Sequence, residues 1–109
     1  RVGLDLADLG EVARFARFAT TRLDLLLRSH GVRTLAICGV ATSGCVESTI
    51  RDGFMLDYYV VIPGDACADY EPARHRASLA KLDLSFGTLV AVDDLRGLWA
   101  GAKHLAPAR

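Results

Sequence analysis

The 109-residue chain has no excess of charge of either sign, since 13 basic residues face 13 acidic ones. Surfaces that bind nucleic acid or an anionic membrane usually need a basic excess, so neither partner is predicted. Long apolar runs are missing as well, and none approaches the roughly 18–20 residues that span a bilayer. The first ten residues, RVGLDLADLG, contain two aspartates, which is not typical of a secretory signal.

Cysteine is scarce and unpaired. The chain has three, Cys38, Cys45 and Cys67, with no spacing typical of a metal-binding pair. Disulfides persist mainly in oxidising compartments, so an odd, small number of cysteines favours reduced thiols and a cytoplasmic location. The length and the hydrophobic fraction of 51% suit one small domain covering residues 1–109.

The stretch Thr34–Arg51 carries the clearest functional signal. An apolar run at Leu35–Cys38 leads into a small polar loop at 41–44, and Cys45 then begins a segment with helical spacing. This order predicts a buried strand, a tight turn and a thiol at the N-terminus of a helix. Backbone N–H groups there lack internal partners and carry partial positive charge. They favour a reactive thiolate and can bind an oxyanion.

The remaining periodicity predicts alternating helices and strands. Helices are expected at about 21–30, 45–56 and 72–86, and strands at 34–40, 59–63 and 88–92. Thr21 and Asp24 are expected to form a capping box on the first helix. A loop with one short helical turn is expected at 93–99. Residues 1–19 form a poorly defined N-terminal segment, and 101–109 are expected to be a frayed tail.

This order of elements predicts an α/β fold of the Rossmann type, a three-layer parallel sheet with helices on both faces. Three strands make a small sheet, and they leave two unpaired edges. The sheet is therefore expected to be incomplete. Residues 1–19, the rest of a larger domain, or another chain in a homo-oligomer or a complex would complete it.

The run at 39–52, GVATSGCVESTIRD, closely resembles the nucleophile motif of the isochorismatase-like cysteine hydrolases. This superfamily includes nicotinamidases, carbamoylsarcosine and ureidoacrylate amidohydrolases, and isochorismatases. The similarity extends over about 15–95 and includes the helix at 21–28, the strand and Asp-Ala turn at 60–68, and Phe86-Gly87. The resemblance implies a six-stranded parallel sheet and hydrolysis of a small amide or related C–N bond.

The resemblance also implies the roles of particular residues. Cys45 would be the nucleophile that attacks the carbonyl carbon. A non-proline cis peptide would join Val40 to Ala41, and the backbone N–H groups of Ala41 and Cys45 would bind the oxyanion. The family's general acid–base aspartate and its lysine are not evident. Val12 stands where the lysine is expected, and the metal ligands of nicotinamidases belong to the same unmatched part. Neither a metal nor a cofactor is therefore predicted.

Substitutes for the missing acid and lysine are poor. A shifted alignment offers Arg14 or Arg17, but a guanidinium cannot exchange a proton usefully. Asp5 and Asp8 do not lie in a strand motif like that of the family, so no role is assigned to them.

Structural roles compete with functional ones at several positions. Cys45 could be a buried structural thiol, as many cysteines are, and Cys38 and Cys67 are expected to belong to the core. His75 is expected to be solvated on a helix face. Glu47 and Arg51, four residues apart with the acid first, are expected to form a surface ion pair.

Cys45 and Arg51 also have the six-residue separation found in phosphatases that form a phosphocysteine. That chemistry needs a loop of backbone N–H groups around the phosphate, often with glycine. Residues 46–50 contain no glycine, and the carboxylate of Glu47 would repel a phosphate, so this interpretation is disfavoured.

Two hypotheses of different class remain. The first is a hydrolase that cleaves a small-molecule amide or a related C–N bond through Cys45, with acid and lysine from elsewhere. The second is a non-catalytic remnant or interaction subunit of the same fold that assembles with another chain.

Overall fold

The structure, a computed structural model, describes Phe18 and residues 22–102, the last two by backbone only. The helices are α1 (Leu23–Ser29), α2 (Glu47–Met55), α3 (Pro72–Ser85) and α4 (Val92–Ala102). The strands are β1 (Thr34–Ala36), β2 (Gly39–Val40), β3 (Tyr59–Pro63), β4 (Cys67–Ala68) and β5 (Thr88–Val90). None of these helices is long and apolar enough to cross a membrane. The predictions for Asp5, Asp8, Val12, Arg14, Arg17, Thr21 and residues 103–109 lie outside the described part.

The strands form a parallel sheet in the order β1-β3-β5, with Leu35 opposite Val60 and Ile62 opposite Leu89. A smaller parallel pair, β2 and β4, places Gly39 opposite Cys67. Parallel neighbours need long crossovers, and helices α2 and α3 provide them. The predicted α/β class with a parallel sheet is therefore confirmed.

The predicted strand at 34–40 is interrupted, which corrects one expectation. Ile37 still donates its N–H to the Val61 carbonyl at 3.0 Å, but the chain then turns at Gly39, whose φ is +135°. Only glycine adopts this backbone region at little cost, so regular pairing ends there. As a result Cys38 is exposed and does not belong to the core.

One face of the sheet carries the main core. Ile50 of α2, Ile62 of β3 and Leu82 of α3 are fully buried and belong to one cluster. Burying such a side chain stabilises the fold by about 1.5–3 kcal/mol. The close packing depends on Gly87, because a Cβ there would lie 2.8 Å from the carbonyl oxygen of Val60.

A second cluster forms around Phe18, Leu27 and Tyr58, all buried. The Tyr58 hydroxyl donates to Asp24 at 2.6 Å, and Arg28 donates to the same carboxylate oxygen at 3.0 Å. The predicted capping box of Thr21 and Asp24 stays a prediction, because Thr21 lies outside the described residues. A buried tyrosine hydroxyl needs a partner, and this carboxylate supplies it.

The C-terminal part of the described chain is more helical than predicted. β5 ends at Val90, and α4 begins at Val92 and includes the predicted turn and the start of the predicted tail. The Asp94 carboxylate accepts the Ala91 N–H at 3.1 Å, and Asp65 accepts the Val92 N–H at 2.9 Å. An acid at the third helical position that reaches back in this way stabilises a helix start.

Candidate active site

Cys45 lies where a strand passes into a helix. The chain leaves β2, forms a wide π-helical turn at Thr42–Val46 and continues directly into α2. The Ala41 carbonyl accepts the N–H groups of both Gly44 and Val46, at 3.0 and 3.2 Å. Cys45 is half-buried and its thiol is free.

Two backbone features shape this turn. The peptide bond between Val40 and Ala41 is cis, at the position that the resemblance implied. Gly44, directly before the cysteine, has φ −116° and ψ −108°, which kinks the turn. The predicted regular helix from residue 45 therefore begins two residues later, at Glu47.

The first link between this turn and the rest of the protein is a carboxylate. Asp69, in the loop after β4, accepts the Ser43 N–H at 2.7 Å and the Tyr70 N–H at the same distance. The hydrogen bonds from Ser43 lower the pKa of the Asp69 carboxyl. Asp69 is therefore a fixed anion that holds the middle of the turn.

The second link joins a buried hydroxyl to an imidazole. Thr42 is fully buried, and its Oγ1 lies 2.8 Å from Nδ1 of His75 on α3. His75 is therefore half-buried and hydrogen-bonded, so its predicted solvation is wrong. The sequence could not indicate this contact, because the partner is 33 residues away.

The third link is a cluster around Glu47, the first residue of α2. Its Oε1 accepts the Ser78 hydroxyl at 2.9 Å, and its Oε2 lies 3.0 Å from both Arg51 Nε and Lys81 Nζ. The predicted Glu47–Arg51 pair is thus present, but the glutamate side chain is only 14% exposed. Burial alone would raise the pKa of Glu47, but the bonds from Lys81, Ser78 and Arg51 outweigh it and lower that pKa.

The phosphatase geometry is absent from this part of the chain. Residues 47–55 form a regular helix, so no phosphate-binding loop lies between Cys45 and Arg51. The Arg51 guanidinium binds Glu47 and lies 4.5 Å from the centroid of the Phe86 ring. Both of its contacts are therefore structural.

The remaining thiols differ from Cys45 in accessibility. Cys67 is buried, as predicted, and its burial raises the pKa of the Cys67 thiol. Cys38 is exposed beyond the end of β1. Within residues 22–102, no three His, Cys, Asp or Glu side chains come together in a group that could hold a metal ion.

Two cavities open at other places on the surface. One of about 700 Å³ is lined by Arg28, Arg33, Phe54, Met55, Asp57, Tyr58 and Tyr59. Another of about 560 Å³ is lined by Gly64, Asp65, His75, Leu79, Leu89, Val90, Ala91 and Asp94. Neither is lined by Cys45, although His75 connects the second cavity to the turn through Thr42.

Comparison with known proteins shows one family. A family model described as "Isochorismatase domain" matches residues 12–94, about three quarters of the chain. The ureidoacrylate amidohydrolase RutB of Acinetobacter baylyi is 46% identical over 78 residues, which cover 71% of this chain and 32% of that protein. The chain thus spans about a third of the length of this curated relative.

Solved structures agree. An isochorismatase-like hydrolase from Alkaliphilus metalliredigens superposes with a TM-score of 0.76 at 34% identity, covering 79% of this chain and 48% of that one. A cysteine hydrolase from Pseudomonas syringae pv. phaseolicola gives 0.77 at 31% identity, covering 81% and 46%.

Proposed function

Because the chain belongs to the isochorismatase family, we propose that it forms the nucleophile-bearing part of an amidohydrolase that cleaves a small amide or related C–N bond. The observation that carries this proposal is the position of Cys45, half-buried on the π-helical turn between β2 and α2. Similar proteins are named as an amidohydrolase and a cysteine hydrolase, which supports the same reaction class.

The proposed reaction begins with attack of the Cys45 thiolate on the carbonyl carbon. The carbonyl oxygen gains the negative charge and is stabilised by the backbone N–H groups of Ala41 and Cys45. The C–N bond then breaks, the amine leaves with a proton from a general acid, and a thioester remains. Water, activated by the same group acting as a base, releases the acid and restores the thiol.

The general acid–base cannot be either carboxylate that contacts the turn. Asp69 accepts two backbone N–H groups, and Glu47 accepts a hydroxyl, an ammonium and a guanidinium. These bonds lower both pKa values, whereas an efficient base at neutral pH needs a pKa near 7. We propose that the acid and lysine come from another segment or from a partner subunit.

The test is the pH dependence of alkylation. The rate at which iodoacetamide labels each cysteine is followed by peptide mass spectrometry between pH 5 and 10. An activated Cys45 is labelled well below pH 8 and faster than Cys38, which is exposed and serves as the internal control. Half-maximal labelling of Cys45 near pH 8.5, the value of an ordinary thiol, would refute the nucleophile role.

A non-catalytic subunit of the same fold is the second candidate. It is favoured by the hydrogen bonds that already engage both nearby carboxylates, Asp69 and Glu47, so neither is a free proton acceptor. Ordinary labelling of Cys45 together with a stable complex with another chain would support it. The three free thiols are consistent with a reducing compartment, and we propose the cytoplasm.

A further inference from the structure

Helix α3 carries polar side chains at a spacing of three residues that contact the turn bearing Cys45 or the first residue of α2. His75 lies against Thr42, and Ser78 and Lys81 both bind Glu47. Residues three apart share a helix face, so this stripe follows from the sequence spacing. The adjacent Leu79 and Leu82 pack into the main core, so the stripe is held rigidly against the sheet.

From this geometry we infer that Glu47 is a positioning residue for Cys45, with Ser78 as its essential partner. The inference rests on the proposed function, in which Cys45 is the nucleophile. Glu47 is the first residue of α2 and follows Cys45 by two positions. Its carboxylate binds α3 through Ser78 and Lys81, so it fixes the direction in which the start of α2 presents the thiol.

The burial of the cluster supports a specific role over a surface ion pair. Ser78 is 4% exposed and Glu47 14%, so both polar groups are desolvated. A buried hydroxyl that loses its acceptor costs stability, which is why such groups are placed where a partner is fixed. The cluster has two cations against one anion, so Glu47 adds no uncompensated negative charge beside the thiol.

A positioning role and a charge effect of Glu47 predict opposite changes in the Cys45 thiolate when Glu47 is replaced, which makes the inference testable. If Glu47 positions the thiol, replacing it removes the alignment of Cys45 with the backbone N–H groups and disfavours the thiolate. If it acts only through its charge, replacing it by a neutral residue favours the thiolate. Ser78→Ala removes one hydrogen bond without changing any charge, so it isolates the positional effect.

The experiment measures the pH of half-maximal Cys45 alkylation in the full chain, in two test variants and in one control variant. We expect Ser78→Ala and Glu47→Gln each to raise this value by about one pH unit, a tenfold change in the thiolate fraction at neutral pH. Ser85→Ala, an exposed serine on the same helix, should leave it unchanged. Thermal unfolding is recorded in parallel, because a merely structural role would lower Tm without moving the alkylation curve.

Three results would overturn the inference or its premise, and they can be told apart. An unchanged curve in both variants with a lower Tm means that the cluster is only structural. A lower value in Glu47→Gln means that charge dominates. A native Cys45 that already reacts like Cys38 refutes the proposed function itself, whatever the variants do. If Ser78→Ala does not fold, Glu47→Gln alone decides between position and charge.

Discussion

The buried Tyr58 hydroxyl offers a direct test of the electrostatics through alkaline unfolding. Burial of the ring and the hydrogen bond to Asp24 raise the pKa of Tyr58 from 10.0 to about 12. A folded-state pKa above the unfolded value means that the stabilisation is complete below pH 10. It is lost as the pH rises from 10 to 12. Two pKa units correspond to at most about 2.7 kcal/mol of the free energy of unfolding.

The measurement is the free energy of unfolding by urea at several values between pH 8 and pH 12. At pH 8 the Tyr58→Phe variant should be less stable by about 1.5–3 kcal/mol, the range for a hydrogen bond to a charged group. Between pH 10 and 12 the native protein should lose stability that the variant retains, so the two curves converge. The matched control is Tyr59→Phe, because the Tyr59 residue is 69% exposed.

A second variant identifies the cause. Asp24→Asn keeps an oxygen that can accept the Tyr58 hydroxyl but removes the charge that opposes its ionisation, so part of the alkaline loss should disappear. Parallel curves for the native protein and Tyr58→Phe from pH 8 to 12 would refute the reasoning, because the hydroxyl would then titrate alike in the folded and unfolded chains.

Two packing predictions complete the set. Gly87→Ala should lower the free energy of unfolding by about 1–3 kcal/mol, because its Cβ would lie 2.8 Å from a carbonyl oxygen of β3. Gly97→Ala is the control: its Cβ would meet no atom within 4 Å, so this variant should not destabilise the protein. Leu82→Ala should lower the free energy of unfolding by about 2–5 kcal/mol in the same urea assay, since Leu82 is fully buried. Leu84 is 86% exposed, so the control variant Leu84→Ala should change this free energy by less than about 0.5 kcal/mol. Equal losses within either pair would contradict the packing described here.

Elements with regular periodicity were predictable from the sequence alone. The strand at Tyr59–Pro63 has the predicted ends, and α3 begins at the predicted Pro72. The end of α1 also agrees, because Gly31 adopts φ +72° and its N–H binds the carbonyl of Arg28. In each case the signal is local, so residues near in sequence decide the structure.

Two of the errors have a common physical origin in contacts between distant residues. Residues 93–99 were expected to form only a loop and a short turn, but they belong to α4. One hydrogen bond at the start of this helix joins the Val92 N–H to Asp65, 27 residues upstream, and the local sequence does not indicate that partner. His75 was predicted to be solvated because its partner Thr42 is on another element. For the candidate site, the position of Cys45 could be inferred from its motif, but Ser78 could not. The local sequence around a helical serine does not indicate which carboxylate it will contact in the folded protein.

Two buried side chains on α3, Leu82 and Ser78, separate stability from the proposed chemistry. Leu82 contributes to the free energy of unfolding through its burial. Its replacement should therefore destabilise the protein without a specific effect on the Cys45 thiol. Ser78 is nearly as buried, yet an apolar residue in its place would pack without desolvating a hydroxyl. Replacing a buried polar pair by well-packed apolar residues is often neutral or stabilising, so such a pair adds little net stability. The role that we propose for the Ser78 hydroxyl is therefore to fix the geometry of Glu47, and through it that of the turn that carries Cys45.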